Sequence, residues 1–224
     1  MQFAPKLKKI RLPAKSSPMV EQTEAATAVF PGFERLRAAL SSVPLPASVY
    51  LVEDCGEGED LIPAAVLFSI VLRDHEPSVL LTQRNPDLKD HPGQISFPGG
   101  RVEPQDVSPA ATALREAEEE VGLDPARVEV VGYLPVYRTV TGFCVTPVVA
   151  IVKPPVDLRP DPGEVADVFE VPLSFLLDSA NHQRCIMQFE GRQRDFYAVP
   201  YGDRYIWGAT AGIILGLARL LSLR

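Results

Sequence analysis

FPGGRVEPQDVSPAATALREAEEEVGL, residues 97–123, holds the pattern that decides the fold. Ser108 is a favourable N-cap, Pro109 suits the first helical position and Gly122 suits the C-terminal cap, so a helix is predicted over Pro109–Val121. At about 100° per residue, Ala110, Ala113, Leu114, Ala117 and Val121 share one apolar stripe. Glu116, Glu119 and Glu120 form a separate face, and Glu118 points away from it. Such a helix is electrostatically poor. Its acids repel at i,i+3 and i,i+4, each close pair costing roughly 0.2–0.5 kcal/mol, and they sit in the half where the macrodipole favours cations. Two readings are open on these residues alone. A solvated acidic face, with Arg115 paired to Glu119 across one turn, is the ordinary explanation of a charge run. The alternative is an oxygen-ligand site for a hard cation, Mg2+ or Mn2+, which removes the repulsion.

Working outward, a Phe-Pro-Gly-Gly turn leads into the helix through a loop containing Glu103 and Asp106. Paired Gly99 and Gly100 let backbone approach a ligand or metal closely. Apolar, β-branched runs with turn-rich flanks predict strands at 64–72, 78–83, 128–136 and 144–152, with a further strand at 165–172. A short helix is expected at 173–178, a hairpin around Gly191, and a closing apolar helix in ATAGIILGLARLLSL. GEGED (56–60) reads as a turn. Strands, one helix, more strands and a terminal helix together predict an α/β fold: a mixed sheet covered by helices on both faces. Residues 1–30 read as an extended arm and Phe33–Leu40 as a helix, which divides the chain into an N-terminal extension (1–47) and a main domain (48–224).

Composition narrows the classes further. With 46% hydrophobic and 23% charged residues among 224, this is an ordinary globular chain with ample core. Its net charge of −7 argues against a broad nucleic-acid surface, although Lys6, Lys8, Lys9, Arg11 and Lys15 make residues 1–20 locally basic. Cys55, Cys144 and Cys185 fit neither a disulfide framework nor a zinc site; they read as buried small hydrophobes in a reducing compartment. The longest apolar stretch, Ala211–Ala218, is far short of the ~20 residues that span a bilayer. A soluble, cytoplasmic protein without membrane contact is expected.

Gly100, Arg115, Glu116, Glu119, Glu120 and Gly122 resemble the signature of the Nudix hydrolases, G-x5-E-x7-R-E-U-x-E-E-x-G-U, where U is bulky and aliphatic. The second half matches as REAEEEVGL. The first departs: Asp106 stands where the pattern has Glu, and eight residues instead of seven separate it from Arg115. Upstream, LLTQRNPDLKDHPGQISFPGG (80–100) resembles the motif of the coenzyme A pyrophosphatase branch, with Asn85 for Ser and Lys89 for Arg. The expanded box is a habit of that branch. TGFCVTPVV and YIWGATAG extend the likeness over most of residues 62–215.

The resemblance implies a Nudix-type α/β/α sandwich and hydrolysis of coenzyme A to 3′,5′-ADP and 4′-phosphopantetheine. It implies Mg2+ or Mn2+ on Glu116, Glu119, Glu120 and the Gly100 carbonyl, with Arg115 orienting a ligand glutamate. Gly99, Gly100, Arg84 and Lys89 would meet the substrate, the two cations through its phosphates. The general base stays open between Glu164 and a glutamate within the box. Tyr137 and Arg138 are expected to border the pocket, His91 to be structural or exposed, and Trp207 and the terminal helix to complete the core. Two alternatives stand beside this reading: a Nudix hydrolase of ADP-ribose or NADH, and a nucleotide-sensing module without catalysis.

Overall fold

The computed structural model describes residues 32–44, 50–52, 61–189 and 192–222. The basic arm, the GEGED turn and Cys55 lie outside them. In chain order the elements are α1 (Gly32–Ala39), β1 (Tyr50–Val52), β2 (Ile62–Val71), β3 (Ser78–Arg84), β4 (Ile95–Ser96), β5 (Gly99–Arg101) and α2 (Pro109–Val121). There follow β6 (Val128–Tyr133), β7 (Val136–Arg138), β8 (Phe143–Val152), β9 (Val165–Pro172), α3 (Leu173–Leu177), β10 (Gln183–Phe189), β11 (Arg192–Tyr201), β12 (Arg204–Trp207) and α4 (Gly208–Ser222).

The nine strands from β1 to β9 form one mixed sheet. Its spine is β2 paired in parallel with β8 from Ile62↔Phe143 to Val71↔Val152, while β3, β5, β6, β7 and β9 join by antiparallel pairing. Side chains alternate across the pleat with period two. Ala65, Leu67 and Val71 of β2 meet Ala113, Ala117 and Val121 of α2 on one face. Ala64, Phe68 and Ile70 meet Leu36 of α1 and Leu40 just after it, Leu173 and Leu176 of α3, and Ile213, Ile214 and Leu217 of α4 on the other. The expected α/β/α sandwich with a mixed sheet is therefore present. β10, β11 and β12 make a separate antiparallel sheet, extending the expected hairpin by one strand.

Several local readings change. The run 128–136 is not one strand: it is divided between β6 and β7, with Leu134 and Pro135 in neither. Tyr137 does not border a pocket but is buried in the core against Gly212, whose missing Cβ leaves room for the phenol ring. Trp207 packs edge-to-face on Phe196 with ring centroids 5.7 Å apart and stays partly exposed, so α4, and not Trp207, completes the core. Cys144 and Cys185 are only partly buried. Among the described residues no helix is long and apolar enough to cross a membrane.

Candidate active site

Helix α2 has the boundaries read from the sequence, and each end has its cause. Ser108 Oγ accepts from Ala111 N–H at 3.1 Å, Pro109 sits in the first turn, and Gly122 takes a left-handed φ of 65°. The C-terminal carbonyls, where acids are least welcome, do not stay open. Gly122 N–H donates to Glu118 O, and the β8–β9 connection adds Asp161 N–H to Glu120 O at 2.9 Å and Arg159 N–H to Val121 O at 2.8 Å. These donors offset the negative end of the helix.

Asp106 answers the question raised by the expanded box. It accepts Arg115 Nε at 3.1 Å and Nη2 at 3.0 Å, Thr112 Oγ1 at 2.9 Å and Glu103 N–H at 2.9 Å. The carboxyl is held well below the usual carboxylate range, first by the Arg115 hydrogen bonds. The longer loop is absorbed outward, leaving Val107 92% exposed. Arg115 also donates through Nη1 to Glu116 Oε1 and to Glu119 Oε2, each at 3.0 Å, and through Nη2 to Arg101 O. One guanidinium thus ties the loop to the helix and steadies two glutamates.

Gly99 and Gly100 form the opposite wall. Gly99 N–H donates to Glu120 Oε2 at 3.1 Å. A Cβ at Gly100 would collide with the Glu116 carboxylate, and one at Gly99 with the backbone of Ala65 and Val66. Glu120 is only 4% exposed, and burial raises its pKa to about 7 against the Gly99 hydrogen bond, with the Glu116 and Glu164 charges adding to the rise. Burial also pushes Glu116 up, and Arg115 only partly counters it. Glu119 is open, its side chain 58% exposed, and Glu118 is exposed on the surface.

Around this acidic wall the other candidates separate. β3 and β9 slip register between Gln83 and Arg84, so Arg84 pairs with Val165. Its Nη1 lies 3.8 Å from Glu120 Oε1, and among the described residues its buried Nε has no hydrogen-bond partner. Glu164 is exposed in the turn before β9, near enough for its charge to act on both Glu116 and Glu120. Lys89 is exposed in the loop after β3 and joins no salt bridge among the described residues. His91 occupies a positive φ of 55° in that loop and is exposed.

Among the described residues, no three His, Cys, Asp or Glu side chains are grouped as a finished cation cage. Glu116 and Glu119 share Arg115 instead, and Glu120 holds the Gly99 N–H. The donor set is all carboxylate and carries more charge than its donors balance, which suits a hard cation. Reasoning from sequence missed the backbone of Arg159 and Asp161, because main-chain ties to α2 carry no residue signature.

Residues 62–189 match the NUDIX domain family. A protein named Uncharacterized Nudix hydrolase NudL from Escherichia coli (strain K12) is 46% identical over 155 residues, 69% of this chain and 80% of that protein. One of the same name from Enterobacter sp. (strain 638) is 44% identical over 161 residues, 72% of this chain and 83% of that protein. Among solved structures, a MutT/nudix family protein from Enterococcus faecalis superposes with a TM-score of 0.49 at 17% identity, covering 76% of this chain and 66% of that one. The NUDIX domain of Shewanella oneidensis NrtR, solved with ADP ribose, gives 0.42 at 21% identity, covering 55% and 82%. With the signature on α2 and the family match across the sheet that carries it, the chain belongs to the Nudix hydrolase family.

Proposed function

We propose that this protein hydrolyses the pyrophosphate bond of coenzyme A or its derivatives, giving 3′,5′-ADP and 4′-phosphopantetheine, in the cytoplasm and with Mg2+ or Mn2+. The catalytic unit is taken as 48–224, with 1–47 an extension. The observation that carries the reading is Arg84. The upstream motif brings its guanidinium to the edge of the acidic wall, with one buried nitrogen lacking a partner among the described residues and another 3.8 Å from Glu120. A phosphate supplies acceptors for such a fork. Lys89, mobile by chemistry and exposed by position, adds a point charge for a substrate with a further phosphate.

Glu116, Glu119 and Glu120, with the Gly100 carbonyl, would hold the cation. When bound, such a cation neutralises phosphate charge and acidifies water. The residues themselves divide the remaining work. Arg115 positions Glu116 and Glu119 through charge-assisted hydrogen bonds. The water oxygen bonds to one phosphorus as the bridging P–O bond breaks. Glu164, or a glutamate of α2, takes the proton, and the charge leaves on the departing phosphate.

Incubation of the purified protein with coenzyme A and Mg2+, followed by product analysis, tests this. Equimolar 3′,5′-ADP and 4′-phosphopantetheine are expected, with kcat/KM for coenzyme A at least about tenfold above its 3′-dephospho form and ADP-ribose. Equal rates would overturn the coenzyme A assignment and favour a hydrolase of ADP-ribose or NADH. Binding of all three without turnover would favour the sensing module.

A further inference from the structure

Asn85 follows β3 directly, beside Arg84, and all its local polar groups are engaged. Its N–H donates to Glu164 O at 2.8 Å, its Nδ2 donates to Pro162 O at 2.7 Å, and its Oδ1 accepts from Asp87 N–H at 2.9 Å. Two of these bonds reach the same turn, residues 161–164, from a point far away in sequence. That turn is fixed on its other side to α2, through Asp161 N–H to Glu120 O and Arg159 N–H to Val121 O. Within it, Gly163 N–H donates to Asp161 Oδ1 at 2.8 Å and Glu164 N–H to Asp161 O at 3.1 Å.

The turn therefore hangs between the backbone of Glu120 and the side chain of Asn85, and Glu164 sits at its end. The main-chain bond to Glu164 O continues the β3–β9 pairing and holds only the end of the turn. The carboxamide bond two residues earlier adds a second point and fixes the rotation of the turn about the first. We propose that Asn85 is a positioning residue for Glu164: its carboxamide sets where the Glu164 carboxylate stands relative to Glu116 and Glu120, and so governs turnover and not substrate affinity. This rests on the reading of Glu164 as a participant in the reaction. It is consistent with the steep cost of displacing a reacting group, where about 1 Å removes about a hundredfold in rate.

The test uses the full chain with Mg2+, coenzyme A and, in parallel, ADP-ribose. Asn85→Ala is expected to lower kcat about tenfold with KM within about twofold. Glu164→Gln is expected to lower kcat at least as far, and the double variant no further than Glu164→Gln alone. Amide hydrogen exchange at Arg159, Asp161 and Glu164 should quicken about tenfold in Asn85→Ala, with α4 unchanged. Unaltered exchange, or losses that multiply in the double variant, would overturn the assignment. Wild-type turnover in Asn85→Ala beside an impaired Glu164→Gln overturns Asn85 alone. Wild-type turnover in Glu164→Gln removes Glu164 from the reaction and the purpose of Asn85 with it. A protein that cuts neither substrate sinks the functional reading, and hydrogen exchange then decides Asn85 by itself.

Discussion

Two carboxylate clusters, Glu170 with its donors on the sheet and the acids on and just before α2, are treated oppositely. Glu170 on β9 accepts Arg73 Nε at 3.0 Å, Arg73 Nη2 and Ser78 Oγ. Burial alone would raise its pKa, but the bonds from Arg73 and Ser78 take it below the ordinary value. On α2 the ratio is reversed. Asp106, Glu116 and Glu119 divide one guanidinium, and Glu120 has a single backbone donor with Arg84 at 3.8 Å. Burial then prevails, and Glu116 and Glu120 rise. Where a carboxylate only locks two strands it receives its own set of donors. Where charge is left over, the fold holds acids together at a cost that a bound cation would lift.

The largest expected effect comes from removing the most exposed acid of the α2 cluster. Glu119→Gln should lose about a hundredfold or more in kcat at saturating Mg2+, on the order of 3 kcal/mol, while its melting temperature hardly moves. Unchanged turnover would make the acidic face an ordinary solvated one. Next is the pH response of metal-free protein. With Glu120 near pKa 7 when folded, against 4.5 ordinarily, the folded state keeps a proton that the unfolded chain releases. Stability should therefore fall as pH rises from about 4.5 to about 7. Glu120→Gln should remove that slope and, by urea denaturation in EDTA at pH 8, gain about 2–3 kcal/mol. An identical slope in the variant would place the two clusters in the same class. The smallest effect belongs to the other cluster. Arg73→Ala should cost about 1 kcal/mol or less, since its side chain is 41% exposed, with kcat and KM unchanged. A fall in kcat there would break the contrast.

Much of this was legible in the sequence, for reasons that differ by element. Both ends of α2 were readable because Ser108, Pro109 and Gly122 act on their own neighbours. The strands β2, β3, β8 and β9 were readable because each is rich in apolar and β-branched residues over seven to ten positions between turn-rich flanks. β6 and β7 looked like one strand because the run is apolar throughout, although Pro135, which has no N–H for a ladder, marks the break between them. Asp106 looked doubtful because the pattern counts residues, whereas Arg115 meets it through space whatever the loop length. The ties from Asp161 and Arg159 to α2 had no signal at all, because main-chain donors and acceptors are common to every residue. Asn85 stood out only as a departure from the upstream motif, and its side-chain bond to Pro162 O is a contact across 77 residues.

The matched segment, 62–189, contains α2 and the whole spine of the sheet but neither α1 nor α4. Yet Leu36 from α1, Leu40 just after it, and Ile213, Ile214 and Leu217 from α4 fill the core on the opposite face. The segment that the family match covers and the portion of chain that buries this core are thus of different lengths. A chain trimmed to the matched segment would present Phe68, Ile70 and Leu81 to water and associate through that bare face.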